Sequence, residues 1–101
     1  MAFNFESTRI VTPSSGGEVN FNGDYMLTIV STGLLTSLTV SLPDWVESGQ
    51  SFFITFLGAV LALTWDIGEG KSKVGLPSAV VAGERLNVVY IDSTNTWYRV
   101  V

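Results

Sequence analysis

The sequence predicts an all-β protein, a small antiparallel β-sandwich or meander. Apolar and polar residues alternate with a period of two almost throughout the chain, and no window shows the 3.6-residue period of a helix. The alternating segments are rich in Val, Ile, Thr, Phe, Tyr and Trp, and Gly, Pro, Asn and Asp separate them. The length of 101 residues suits one domain with one modest core.

Eight segments have the length and alternation of strands. In chain order they cover residues 3–11, 18–22, 25–32, 37–42, 51–57, 62–67, 85–91 and 96–101. Asn22-Gly23 favours a tight hairpin turn, so the second and third strands are predicted to pair as a hairpin. The sequence "DSTN" at 92–95 predicts another hairpin, between the last two strands.

The N-terminal stretch is predicted to be a separate arm. "PSSGG" at 13–17 has the composition of a flexible joint, so we divide the chain into an arm and joint, residues 1–17, and a β domain, residues 18–101. The apolar side chains expected to anchor this arm to a partner are Phe3, Phe5, Ile10 and Val11. The same pattern also fits an ordinary edge strand, and both interpretations remain open.

The body contains a weak internal repeat. "LTVSLP" at 38–43 leads to "GQSFFITF" at 49–56, and "LTWDIG" at 63–68 leads to "GERLNVVY" at 83–90. In the second segment of each copy, apolar residues alternate in the same way: Phe52, Ile54 and Phe56 correspond to Leu86, Val88 and Tyr90. Two such copies predict a sheet with one wholly apolar face, although chance alternation in an all-β chain is a rival explanation.

The composition limits the partners. Only 14% of residues are charged, well below the roughly 25% of typical soluble domains, so we expect some apolar surface to be buried between subunits. A monomer with a surface rich in Ser, Thr and Asn is the alternative. The net charge of −4 and the scattered basic residues argue against nucleic acid. No apolar run is long enough for a spanning helix, so no membrane insertion is expected, and no secretory signal is visible.

One stretch resembles part of a nucleotide-binding motif. Gly70-Lys71-Ser72 is the end of the P-loop pattern G-x-x-x-x-G-K-S, but Trp65 occupies the position of the first glycine. The following "KVGLPSAVVAG" contains two glycines and a proline and is not expected to form the phosphate-binding helix. We therefore interpret Lys71 and Lys73 as solvated charges on a loop.

No catalytic residue, metal ligand or cofactor is predicted. The chain has no histidine and no cysteine, which removes the usual general base, thiolate nucleophiles and the commonest metal ligands. The carboxylate pairs Asp44 with Glu47 and Asp66 with Glu69 lack the flanking oxygen ligands of a calcium loop. We expect the protein not to be an enzyme.

The tryptophans are the remaining candidates for a binding role. Trp65 and Trp97 lie in alternating strands, so we expect them in the core. Trp45 lies in "LPDWVESG" with acidic residues on both sides. It is the best candidate for an exposed ring that contacts a ligand or another subunit.

The body resembles a β module of bacteriophage virion proteins, found at the ends of tail fibres and spikes and in short head-fibre or capsid-decorating proteins. The resemblance covers about residues 25–101 and rests on "LTVSLP", "GQSFFITF", "LTW", "VGLP", "AGERLNVVY" and "NTWYRVV" in this order. It implies a homotrimeric knob without cofactor or catalytic residues. It carries no binding residue over to this chain. A fibre module follows a long shaft, whereas only residues 1–24 precede it here, which favours a small protein on the particle.

The sequence thus predicts a phage virion structural protein on the external surface of the particle. It would be a trimeric capsid-decorating or head-fibre knob, attached through its N-terminal arm to a larger capsid or tail protein. The alternative is a receptor- or carbohydrate-binding tip module of a tail fibre, which would bind a host-surface glycan through Trp45.

Overall fold

The computed structural model describes residues 8–21, 26–31, 33–43, 46 and 48–100. These residues contain no helix, and the predicted all-β class is confirmed. They form nine strands: β1 (Thr8–Val11), β2 (Gly17–Asn20), β3 (Met26–Ile29), β4 (Leu38–Ser41), β5 (Ser51–Phe56), β6 (Leu63–Asp66), β7 (Ser72–Val74), β8 (Arg85–Ile91) and β9 (Thr96–Val100).

The first six strands alternate between two sheets. A large sheet has the order β1-β3-β5-β8-β9-β7, and a small sheet has the order β2-β4-β6. The first coil consists of β1 and β2, the second of β3 and β4, and the third of β5 and β6. The three coils stack, and their strands pair in parallel in both sheets. This is a short β-solenoid, in which each coil contacts its neighbours along the stack. The β8–β9 hairpin continues the large sheet beyond the third coil.

The internal repeat lies at the contact between the second and third coils. "LTVS" of β4 and "LTWD" of β6 are parallel neighbours, with Leu38 beside Leu63 and Val40 beside Trp65. The second halves of the repeat, β5 and β8, are also neighbours, but they run antiparallel and place Ile54 opposite Leu86. Corresponding residues of the two copies are therefore neighbours in the small sheet. In the large sheet the strand direction reverses at β8.

Two pairing predictions are corrected. The expected antiparallel sandwich or meander is a mixed structure in which five of the seven strand pairs are parallel. Asn22-Gly23 lies outside the described residues, but β2 and β3 do not pair as the predicted hairpin, because they belong to different sheets. The hairpin at 92–95 is confirmed, since β8 and β9 pair antiparallel and Asn95 supplies the positive φ of 53° that the turn requires.

The predicted joint is a corner between the two sheets. The Gly16 N–H donates to the Ser37 carbonyl at 2.9 Å, and the Thr36 N–H donates to Ser15 Oγ at 2.9 Å. Before this corner, residues 8–11 form β1, which pairs with β3. Residues 8–11 are therefore an edge strand of the large sheet rather than part of a separate arm.

One core joins the two sheets. Side chains from both sheets and their connections form a single buried cluster, in which Phe21 after β2 meets Phe52 of β5 edge-on at 5.2 Å. Trp65 and Trp97 are 5% and 0% exposed, so their predicted core positions are confirmed. The apolar alternation of Phe52, Ile54 and Phe56 also points into this core. Each such side chain contributes about 1.5–3 kcal/mol by leaving water.

Candidate interaction surfaces

The two ends of the coil stack differ in how their strands are covered. Among the described residues, β1 pairs with β3 alone and β2 pairs with β4 alone. The first coil therefore presents an edge strand of each sheet at the same end of the stack. We call this surface, formed by Thr8–Val11 and Gly17–Asn20, the open end.

The backbone of β1 has groups that point away from the sheet. The Val11 carbonyl accepts a hydrogen bond from the Val30 N–H at 2.9 Å, so Val11 faces β3. Because residues of a parallel strand alternate between its two neighbours, the N–H and carbonyl of Ile10 face away from β3. The Ile10 side chain is also 68% exposed. On β2 the Asn20 carbonyl likewise points outward, since it accepts a hydrogen bond from the Arg9 guanidinium.

The opposite end of the stack is covered by the chain itself. Val80 forms an antiparallel bridge with Val60, and the Leu63 N–H donates to the Ser78 carbonyl at 2.8 Å. The indole N–H of Trp65 donates to the Pro77 carbonyl at 2.8 Å, which fixes the same segment against β6. In the large sheet the far edge is β7, a strand of three exposed residues that includes Lys73. A short, charged edge strand is a poor template for pairing with another chain.

The structure places two of the predicted site residues at the open end. Ile10 is exposed there, whereas Val11 is half-buried and packs against the core. The Val11 side chain therefore stabilises β1. The other predicted site residues, Phe3, Phe5 and Trp45, lie outside the described residues.

The Gly70-Lys71-Ser72 stretch forms a turn and the start of a strand. Ser72 begins β7, where a P-loop would begin a helix. The Gly70 carbonyl accepts a hydrogen bond from Asn95 Nδ2 at 2.9 Å, which ties this turn to the β8–β9 hairpin. Lys71 is half-buried with its Nζ 4.8 Å from the centre of the Tyr90 ring. Lys71 therefore packs on an aromatic face and stays partly exposed to solvent.

The acidic residues form no cluster in the described part of the chain. Asp66 and Glu69 are exposed, and Asp66 Oδ1 accepts a hydrogen bond from the Gly68 N–H at 3.4 Å. Asp44 and Glu47 lie outside the described residues. No group of three metal-ligating side chains occurs among the residues that the structure describes. Nor do they include a helix with the length and apolarity needed to cross a membrane.

A second surface lies on the outer face of the large sheet. Strand register aligns four outward-facing residues there, and we call them the outer row: Met26, Phe53, Asn87 and Val100. Met26, Phe53 and Val100 are each more than 40% exposed. The Asn87 Oδ1 atom is buried, and it has no hydrogen-bond partner among the described residues.

The sequence contained a partial signal for the outer row that was missed. In "SFFITF" two adjacent phenylalanines must point to opposite faces of one strand, so one of them had to face outward. In "GERLNVVY" the alternation of Leu86, Val88 and Tyr90 predicts the buried face, but it predicts no environment for Asn87. Its neighbours across the sheet, Phe53 and Val100, are known only from the register.

No family model matches this sequence, and no curated protein matches it at a significant level.

Proposed function

We propose that this chain is a structural protein of a bacteriophage particle, a trimeric knob of the capsid-decorating or head-fibre kind. It attaches through its first coil to a larger protein at the external surface of the virion. The observation that carries the proposal is the difference between the two ends of the stack. In the part of the chain that the structure describes, edge strands of both sheets lie at the open end, whereas other segments of the chain cover the opposite end.

The sequence supports the phage context. The order of motifs over residues 25–101 resembles the virion module described above, and the low content of charged residues favours burial of surface in an assembly. A stack of three coils capped by a hairpin is also suited to a static structural role, because each coil is held by ladders on both sides of one core.

Strand addition at β1 is the mode of attachment that the geometry favours. A strand of the partner placed beside β1 would bond to the outward N–H and carbonyl of Ile10. In this mode main-chain hydrogen bonds supply affinity, and alternate side chains supply specificity. The exposed Ile10 side chain would pack on the partner strand next to those bonds.

Proline at position 10 tests this mode. The Ile10 N–H faces away from β3, so Ile10→Pro removes a bond to the partner but no bond of the β1–β3 ladder. We expect the purified variant to keep its circular dichroism spectrum but to bind at least about tenfold more weakly to particles of the parent virus assembled without this protein. The wild-type chain should rebind these particles, as measured by co-sedimentation.

Ile10→Thr is the matched control. Threonine keeps the outward N–H and suits a strand, so its binding should fall by less than about tenfold. If Ile10→Pro bound the particles as tightly as the wild type, attachment by strand addition at β1 would be wrong. If the wild-type chain ignored particles but bound host cells, the tail-fibre tip module would replace the proposed function.

A further inference from the structure

Arg9 lies on the inner face of the large sheet at the open end. In the β1–β3 register it is the neighbour of Leu27, whose side chain is 1% exposed, and paired residues of two strands project from the same face of a sheet. Arg9 therefore points to the same side as Val11, and it is half-buried. A charged side chain on the inner face of an edge strand is one of the features by which natural sheets prevent unwanted pairing.

The Arg9 side chain crosses from the large sheet to the small sheet. Its guanidinium donates a hydrogen bond to the Asn20 carbonyl, which faces outward from β2. Arg9 and Asn20 line a groove of about 250 Å³ between the two edge strands, together with residues that include Val11 and Val19. Arg9 therefore lies across the end of the core, where the next coil of a longer stack would begin.

We propose that Arg9 closes the edge of β2, so that the open end offers only β1 to a partner strand. A strand added beside β2 needs the Asn20 carbonyl as an acceptor for one of its N–H groups. Arg9 already donates to this carbonyl, and hydrogen bonds from a charged donor are stronger than those between neutral groups. The added strand would also enclose the guanidinium against the core, and a charge that loses its water in this way is costly.

The edge of β1 lacks this obstruction. Its outward N–H and carbonyl belong to Ile10, whose side chain is exposed. Alternate residues of a strand point to opposite faces, so Arg9 projects from the other face of β1. A partner strand can thus pair with Ile10 while Arg9 keeps its bond to Asn20. That attachment uses β1 rests on the proposed function, whereas the closed edge of β2 rests on the Arg9 contact alone.

Alanine at position 9 tests this role of Arg9 on the purified chain. Arg9→Ala frees the Asn20 carbonyl and uncovers the apolar end of the core. Two copies can then pair β2 with β2, and because each subunit has one such edge, this contact closes after one doubling. At tens of micromolar, we expect light scattering of the variant to give about twice the wild-type mass. Its circular dichroism spectrum should be unchanged.

Proline at position 20 shows whether the new contact lies at β2. The N–H and carbonyl of one residue in a parallel strand point to the same side, so the Asn20 N–H faces outward with its carbonyl. Asn20→Pro therefore removes no bond of the β2–β4 ladder, but it obstructs pairing at this edge. The double variant of Arg9→Ala with Asn20→Pro should return to the wild-type mass, and Asn20→Pro alone should keep that mass.

Arg85→Ala is the matched control for charge. It removes the same charge from an exposed position of β8, so it changes the net charge equally and should leave the wild-type mass unchanged. If Arg9→Ala failed to fold, Arg9→Leu should show the same doubling, because leucine keeps an apolar side chain over the end of the core.

Two results would overturn the proposal. The wild-type mass for folded variants at position 9 would show that β2 is closed without Arg9. A doubling that persists with Asn20→Pro would show that the new contact lies elsewhere. These measurements use no virus particles, so the role of Arg9 and the attachment at β1 can fail separately.

Discussion

At the scale of single residues, the two buried tryptophans differ in one hydrogen bond. The Trp65 indole N–H donates to the Pro77 carbonyl, whereas Trp97 Nε1 is buried without a partner among the described residues. Trp97 instead packs its ring between Phe52 and Tyr90, at centroid distances of 5.8 and 5.4 Å. The two side chains therefore contribute to stability through different balances of packing and hydrogen bonding.

Substitution by phenylalanine should separate these contributions. Trp65→Phe leaves the Pro77 carbonyl without its donor, while Trp97→Phe removes a donor that has no partner. Both create a similar cavity, so we expect Trp65→Phe to lower the free energy of unfolding by about 1 kcal/mol more than Trp97→Phe. Urea denaturation of the two variants measures the difference. Equal losses would show that the Trp65 hydrogen bond adds nothing to stability.

The sequence predicts whether a side chain is buried when that burial follows from the alternation of apolar residues along a strand. The alternation of apolar residues around Trp65 and Trp97 predicts core positions, and both side chains are buried. The contact of Lys71 with the Tyr90 ring is not predictable from the local sequence, because it depends on how the chain folds back. The sequence does not predict the environment of Asn87, because that environment depends on strands that are distant in sequence. Contacts of this kind require the register, which a local pattern does not contain.

At the scale of elements, the second and third coils approach closely at Gly58. A Cβ atom at this position would lie 1.9 Å from Ser31 Oγ, which itself donates a hydrogen bond to the Gly33 carbonyl at 2.8 Å. Ser31 follows β3 and Gly58 follows β5, so this contact joins the ends of neighbouring parallel strands. Glycine at position 58 lets the two coils stack at this point.

Alanine at position 58 should reveal the contact. We expect Gly58→Ala to lower the free energy of unfolding by about 1–3 kcal/mol, because Ser31 must move or lose its hydrogen bond. In a Ser31→Ala background the same change should cost about 1 kcal/mol less, since the clashing oxygen is absent. Denaturant unfolding of both single variants and the double variant completes the cycle.

Gly33→Ala is the control for this cycle, because no atom lies within 4 Å of its added Cβ. It should change stability by less than about 1 kcal/mol. An identical cost of Gly58→Ala with serine and with alanine at position 31 would contradict the contact.

The strands could be predicted from sequence, but not how they pair. Each of the eight predicted segments contains a strand, because alternation of apolar residues marks a half-buried strand in any sheet. The same alternation occurs in parallel and antiparallel ladders, so it did not reveal the stack of coils. The three residues of β7 are all exposed, which left no apolar face for a pattern to detect. The predicted pairing of β2 with β3 is wrong because each strand pairs within a different sheet, and a local turn signal does not determine which strands pair.

At the scale of the whole molecule, the two ends of the stack of coils have different structures. Among the described strands, those of the first coil are edge strands at the open end, and the third coil is followed by segment 76–80 and the β8–β9 hairpin. The proposed attachment uses the open end, where both edge strands lie.

A cryo-electron microscopy map of the virus particle tests this account most directly. The account predicts density for three copies on the outside of the particle, with each first coil against a larger virion protein and each β8–β9 hairpin pointing to solvent. Copies bound with the hairpin toward the particle and β1 exposed to solvent, or a particle surface that carries no density for this chain, would contradict it.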